Sequence, residues 1–137
     1  MVARMSRADG ADAPYWDGLE QGKLMLPRCN GCDRWIWPAA HRCGACGSTG
    51  VRWVERSMTA TVFSWTRTWH AFGGAESLGL PFTTVLVDID DCGIRLLGRL
   101  DDPDRIDPKL GEPLTGRIGR TQAGDDSIPT IIWSRAA

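Results

Sequence analysis

Four cysteines, Cys29, Cys32, Cys43 and Cys46, stand as two C-x2-C pairs with ten residues between them. Each pair turns two thiolates toward one point, and two such knuckles facing each other make a four-sulfur cage. That cage suits zinc, held tetrahedrally at about 2.3 Å per sulfur. The neighbouring residues agree. Asn30-Gly31 and Gly44-Ala45 fill the turns, and Asp33 and Gly47 follow the second cysteine of each pair; both types tolerate a positive φ better than most. Four thiolates leave no open coordination position, so the expected role is structural. Iron fits the same donor set, but the short spacer favours a zinc ribbon.

Other uses of the cysteines fit less well. Disulfides need an oxidising compartment, and Met1 to Pro14 contains no apolar segment of the kind that begins a signal peptide. No apolar run is long enough to cross a membrane, so a cytoplasmic location is expected. A thioredoxin-like redox site would need one C-x-x-C near a βαβ pattern. Cys92, in Asp90-Asp91-Cys92-Gly93, reads as a thiol in a hairpin turn without an evident base to activate it.

A chain of 137 residues is one domain or two small ones, and a small domain buries little surface, so a metal staple in its first third makes physical sense. Residues 23–56 carry six Lys or Arg against Asp33 and Glu55, or +4, which a tetrathiolate zinc centre reduces to about +2. Residues 57–137 carry eight basic and eleven acidic side chains, or -3. That balance opposes a nucleic-acid surface. Seven tryptophans against one tyrosine is the compositional oddity. Trp35, Trp37 and Trp53 flank the cysteines and are expected to cap an apolar shell around the metal, although such residues also mark interaction surfaces.

The expected organisation is a frayed tail over 1–13, a helix and ribbon over 14–56, and a barrel over 57–137. Pro14 to Gly22 reads as a short helix, with proline suited to its first turn and glycine to its stop. Lys23–Arg28 runs as a strand into the first knuckle, Trp35–Pro38 returns from it, and Val51–Glu55 leaves the second. From Ser57 the apolar period becomes two. Thr59, Thr61, Phe63, Trp65, Arg67 and Trp69 share one face of a long strand; Ala60, Val62, Ser64, Thr66 and Thr68 share the other. A Gly-rich loop follows over 71–81, then strands over 82–90 and 94–100, an acidic, Pro-rich connection over 101–108, a fourth strand over 114–119, a polar loop over 121–127 and a fifth strand over 128–133. Five strands with the longest irregular connection between the third and fourth suit a Greek-key barrel of the OB type; a β-sandwich wants about seven. The fold class expected is therefore mainly β, with one short helix.

This order of parts resembles a family of acyl-CoA-associated proteins built from a rubredoxin-like zinc ribbon and an OB-fold, long known as a domain of unknown function. The residues that carry the resemblance are Tyr15-Trp16-Asp17-Gly18-Leu19, Leu26-Pro27-Arg28-Cys29 with its partner cysteines, Trp53-Val54 and Trp69-His70. Leu80-Pro81-Phe82, Arg95-Leu96-Leu97 and Leu110-Gly111-Glu112-Pro113 complete the set, which spans Pro14 to Trp133. The chain departs from the family at Ser57-Met58-Thr59-Ala60-Thr61, where a Gly-x-Gly-Thr stretch commonly opens the barrel.

The resemblance implies an accessory subunit that completes or bridges a thiolase-like or MaoC-type hydratase enzyme and helps to hold a CoA thioester. The residues by themselves also argue against independent catalysis: Glu76, His41 and His70 lie near no evident nucleophile, and no G-x-S-x-G, Walker or H-E-x-x-H pattern occurs. CoA would call for cations at its phosphates and an aromatic face at its base. Trp65, Arg67, Trp69, His70, Arg95 and Arg99 offer that chemistry, with barrel core and solvated arginines as the plainer reading. Tyr15 and Trp16 with Leu19 make a face that either packs on the ribbon or docks a partner. The alternative class is a single-stranded nucleic-acid module, which both ribbons and OB-folds can form and which the -3 charge of residues 57–137 opposes.

Overall fold

A computed structural model describes residues 10–73, 76–123 and 125–135. Most of the expected N-terminal tail, residues 1–9, lies outside them. The chain divides into two compact units, the first ending at Ser57 and the second beginning at Met58.

In the first unit, helix α1 spans Ala13–Glu20, with proline in its first turn. The helix stops where Gly22 adopts a φ of 79°, which lets the Gly22 and Lys23 amides bond back to the Leu19 and Gly18 carbonyls at 3.0 and 2.8 Å. This closes off carbonyls that the helix leaves unpaired. Gly18 lets the helix lie against the strand that follows, because a Cβ there would stand 2.6 Å from Met25. Strand β1 (Leu24–Cys29) pairs antiparallel with β2 (Val51–Arg56), from Leu24 opposite Arg56 to Cys29 opposite Val51. Leu24 and Leu26 are fully buried.

The expected return strand over 35–38 is reduced to a single bridge between Arg28 and Trp35, with the Ile36 amide on the Pro27 carbonyl at 2.9 Å. The expected tryptophan shell is also different. The buried residues beside the cysteines are Ile36 and, partly buried, Val51. Trp35 instead lies under two guanidinium groups, 4.8 Å from Arg28 and 5.7 Å from Arg56, and Trp37 meets Tyr15 edge-on at 5.1 Å. A broad π-face pairs more favourably with partly hydrated cations and rings than with sulfur-bound metal.

In the second unit, β3 (Thr59–Thr68), β4 (Phe82–Ile89), β5 (Arg95–Leu100), β6 (Pro113–Ala123) and β7 (Asp126–Arg135) close a barrel in the order β3-β4-β5-β7-β6. All pairings are antiparallel except β5 with β7, which run parallel through only two pairs, Arg99 with Ile132 and Leu100 with Trp133. This is the five-stranded Greek-key plan expected of an OB-fold. Val85, Val87 and Ile89 of β4, Leu96 and Leu100 of β5 and Ile131–Trp133 of β7 form the buried interior.

Strand β3 corrects the expected face assignment. Its register on β4 slips between Val62 and Ser64, so Phe63 is a bulge, and one extra residue exchanges the two faces of everything beyond it. Ala60 and Val62 point inward before the bulge. After it, Trp65 and Arg67 take the register positions opposite Val85 and Thr83, both buried. Phe63 is left 43 % exposed, with the Arg95 guanidinium 3.7 Å above its ring.

Two further boundaries move. Strands β6 and β7 pair without a break from Leu114–Arg135 to Ala123–Asp126, so the expected polar loop over 121–127 is mostly hairpin. Cross-strand bonds support its polar length: Thr121 and Thr130 hydroxyls meet at 2.9 Å, and Arg120 reaches the Ser127 hydroxyl at 3.0 Å. The connection over 101–112 contains no helix. It is fastened to β3 by paired backbone bonds between Val62 and the Gly111–Glu112 segment, at 2.8 and 3.0 Å.

Candidate functional site

The four cysteines converge. Cys29 Sγ lies 3.5 Å from Cys46 Sγ, and Cys32 Sγ lies 3.6 Å from Cys43 Sγ, with all four sulfurs within 4.8 Å of one another. Bonds of about 2.3 Å to a tetrahedral ion place sulfurs about 3.8 Å apart, so the cage has the size for zinc. One cysteine of each pair is buried, Cys29 and Cys43, and its partner, Cys32 or Cys46, is exposed.

The knuckle backbone turns its amides on the buried sulfurs. Gly31 and Cys32 amides point at Cys29 Sγ at 3.2 and 3.5 Å, and Ala45 donates to Cys43 Sγ at 3.4 Å. Amide donors favour a thiolate. The Cys32 amide leads in bringing the Cys29 thiol down to about 6, and the Cys46 and Ala45 amides lower Cys43. At Cys32 the Arg34 amide pulls the same way, but desolvation and three neighbouring sulfurs outweigh it and the thiol rises to about 11. Such opposed shifts are what four crowded thiols show before a cation neutralises them. The turns close as their residues suggest: Asp33 and Gly47 adopt φ of 67° and 78°. Asp33 is also pinned by Arg28, at 2.9 Å, and by Arg52.

The other candidate residues are scattered in role. Tyr15 and Trp16 are half-buried and tilted against each other at 5.2 Å, and the Trp16 indole donates to Asp12 at 3.0 Å. Burial, followed by the Asp12 charge, pushes the Tyr15 hydroxyl up to about 12. Arg67 is only 11 % exposed and is bound by Asp107 at 2.6 Å and Asp102 at 3.1 Å, with Trp65 5.1 Å from its guanidinium. Arg95 is paired with Asp88 at 2.9 Å. Trp69 and Phe72 are two-thirds exposed, and His70 stands edge-on to Phe72 at 4.9 Å.

Arg99 borders a cavity of about 300 Å³ in the second unit. Arg105 and Arg117 share its rim, and Leu78, Phe82 and Ile132 contribute apolar wall. The sequence does not single out Arg105 or Arg117, because nothing local marks a connection or a strand arginine as convergent with Arg99. Beneath the cavity, Asp102 is 4 % exposed and accepts from Arg67 at 3.1 Å and Arg135 at 2.9 Å. It also accepts from the Ile106 amide at 3.0 Å.

Comparison with known proteins places these parts. Residues 16–52 match the rubredoxin-like zinc ribbon domain of ChsH2, and residues 53–118 match the ChsH2 C-terminal OB-fold domain. A solved structure described as "Ltp2-ChsH2(DUF35) aldolase" contains a chain 25% identical, with a TM-score of 0.75 over 92% of this chain and 94% of that one. A protein of unknown function of the DUF35 family from Sulfolobus solfataricus shares the fold, at 19% identity and a TM-score of 0.64 over 98% of this chain and 92% of that one. No curated protein sequence matches. Both halves of the chain, in the same order and without a gap from residue 16 to residue 118, thus have their counterparts in one protein type: the chain belongs to the ChsH2 family, in which a rubredoxin-like zinc ribbon precedes a C-terminal OB-fold.

Proposed function

We propose that this chain is a non-catalytic accessory subunit of an enzyme acting on acyl-CoA, with a carbon–carbon bond-cleaving enzyme as the favoured partner class. The carrying observation is the match, across nearly the whole of both chains, to a component of a structure described as an aldolase. That description favours a lyase over the hydratase that the resemblance also allowed; a thiolase-like partner remains within the proposal. The domain division proposed is 14–56 for helix and ribbon and 57–137 for the barrel.

The chemistry of the residues supports a supporting role. A cage of four cysteines has no position left for substrate, and the metal proposed for Cys29, Cys32, Cys43 and Cys46 is a structural zinc ion, which would fix the two knuckles. His41 and His70 are exposed. The buried carboxylate Asp102 is consumed by two arginines, which suits a scaffold more than a proton carrier. No described helix is long and apolar enough to cross a membrane, in keeping with the cytoplasmic location proposed.

Tyr15 and Trp16, and separately Trp65, Trp69, His70 and Arg99, are the residues proposed to meet the partner or its CoA thioester. Arg67 and Arg95, already held by carboxylates, position their neighbours in this reading. The test is capture of the tagged chain from its native cells, followed by assay of the recovered complex. An acyl-CoA lyase recovered in fixed stoichiometry, whose activity falls when this chain is stripped away, is the expected result. Recovery of nucleic acid alone would sink the proposal.

A further inference from the structure

The cavity beside β5 has an electrostatic character unlike that of the unit around it. Residues 57–137 sum to -3, yet the cavity rim carries Arg99, Arg105 and Arg117 against Asp101 and Asp102. Asp102 is already neutralised by Arg67 and Arg135, which are not among the lining residues. Asp101 meets Arg117 only at 3.5 Å, with both side chains more than half exposed, and such a pair is weak and easily exchanged. Among the described residues, the guanidinium groups of Arg99 and Arg105 have no hydrogen-bond or carboxylate partner. Two uncommitted cations at the mouth of one cavity concentrate positive potential there.

The backbone supports the same conclusion. Arg105 adopts a φ of 56°, a left-handed conformation that an L-residue with a Cβ enters only at a cost in backbone strain. The segment carrying it is held from below: Asp102 binds Arg67 and Arg135, the Ile106 amide binds Asp102, and Arg135 also donates to the Ile106 carbonyl. A buried ion-pair network contributes little net stability against an apolar replacement, but it fixes geometry. Here it fixes the loop that places Arg105 on the same rim as Arg99.

We propose that this cavity is a binding site for a phosphate ester, with Arg99 and Arg105 as the phosphate ligands and Arg117 exchanging Asp101 for the same anion. Planar guanidinium groups suit phosphate oxygens, which accept two parallel N–H bonds from each. The Leu78, Phe82 and Ile132 wall takes the organic portion. About 300 Å³ is at the small end of ligand cavities and accommodates one nucleotide-sized group. A nucleotide carries that chemistry, and the choice of adenine rests on the CoA reading proposed above, whether as the nucleotide end of CoA or as a free nucleotide. The phosphate site itself is argued from the barrel alone and stands whether or not a partner enzyme exists.

The test is isothermal titration of the full zinc-loaded chain with CoA, adenosine 3′,5′-bisphosphate, AMP and adenosine. Binding of at least one phosphate ester below about 1 mM, weakening with salt and absent for adenosine, is expected. Arg99→Ala and Arg105→Asn should each weaken it about tenfold or more, while Arg120→Ala, whose side chain is bonded to Ser127 and lies outside the cavity lining, leaves it unchanged. Asparagine tolerates the left-handed backbone at position 105, so that variant reports on binding even where Arg99→Ala disturbs folding. CoA and the bisphosphate binding better than AMP would identify the CoA nucleotide as the source, and equal binding of AMP a free nucleotide; both uphold the site. Equal affinity for adenosine, equal loss in Arg120→Ala, or no phosphate ester bound below that limit overturns it. None of these outcomes bears on whether a partner enzyme is captured, so the two proposals fail separately.

Discussion

Trp133 lies so close over Gly98 that a Cβ at that glycine would stand 2.7 Å from the indole Cδ1 and Nε1. The tryptophan is fully buried, so the ring has nowhere to retreat. Gly116 makes a second close approach, where a Cβ would meet Ile131 at 2.8 Å and Trp133 at 3.0 Å. The largest fully buried side chain of the barrel is therefore accommodated by two residues that have none.

Gly98→Ala should destabilise the barrel by about 1–3 kcal/mol, the usual cost of overfilling a packed interior. In a unit of this size that lowers the melting temperature by several degrees, about 4–8 °C per kcal/mol. Gly73→Ala, where a Cβ meets nothing within 4 Å, should change it little. Differential scanning calorimetry of the two variants checks the contrast, and an unshifted Gly98→Ala melt would contradict the packing.

Metal analysis of the purified chain should return one zinc per molecule. Stripping the metal, or substituting Cys32→Ser, should unfold the first unit, because metal binding and folding are one equilibrium in small ribbons. The fluorescence of Trp16, Trp35, Trp37 and Trp53 reports the loss. Visible absorbance from an iron–thiolate centre in protein from its native cells would instead assign iron to the cage.

Asp102→Asn should destabilise the barrel by about 1–3 kcal/mol, because it removes the buried counter-charge of Arg67 and Arg135, which keep Asp107 and Glu112 as second partners. The pH dependence has a definite sign. Burial works against the Asp102 carboxylate, but the Ile106 amide, Arg135 and Arg67 outweigh it and hold its pKa below the ordinary value. A depressed carboxylate stabilises the fold above its unfolded pKa of about 3.9 and gives that stability up as pH falls through the lower folded value. Urea titrations from pH 6 down to pH 2 should show this decline in the native chain and a shallower one in Asp102→Asn.

Phe63 separates the role of a side chain from that of its position. Phe63→Ala removes a half-exposed ring under Arg95 and should cost about 1 kcal/mol. Deleting Phe63 removes the extra residue and leaves Ser64–Thr68 opposite the same β4 partners, so what is lost is the bend and added twist that the bulge gives β3, and the barrel should close at a larger cost in stability than in Phe63→Ala. Circular dichroism with thermal melts should show a native β spectrum for both variants and a lower melting temperature for the deletion.

These sites differ in how far they could be read from sequence. The cage was legible because its ligands are close in the chain and because Asp33 and Gly47 mark the turn that each knuckle needs. The five barrel strands were legible from alternation, and Val85, Val87 and Ile89 are buried as that pattern implies. The bulge was not, since the residues from Thr59 to Trp69 alternate without interruption while the pairing slips at Phe63. The sequence understates the length of the β6–β7 hairpin because Thr121, Gln122 and Ser127 look like loop residues, although the threonine bonds across the ladder. The Arg67–Asp102–Arg135 network joins residues 35 and 33 positions apart, a separation at which one sequence carries no pairing signal. Arg105 escaped notice for the same reason.

The two-pair seam between β5 and β7 also has a kinetic consequence. A ring of strands opens first at its shortest joint, and Arg99–Ile132 with Leu100–Trp133 is that joint. Backbone amides there should exchange with solvent sooner than those along β6 and β7, whose ladder runs through ten pairs. Arg99, Leu100 and Ile132 also border the cavity, so whatever occupies it sits across the seam and acts as a clasp, slowing the breathing of the whole barrel from its weakest point.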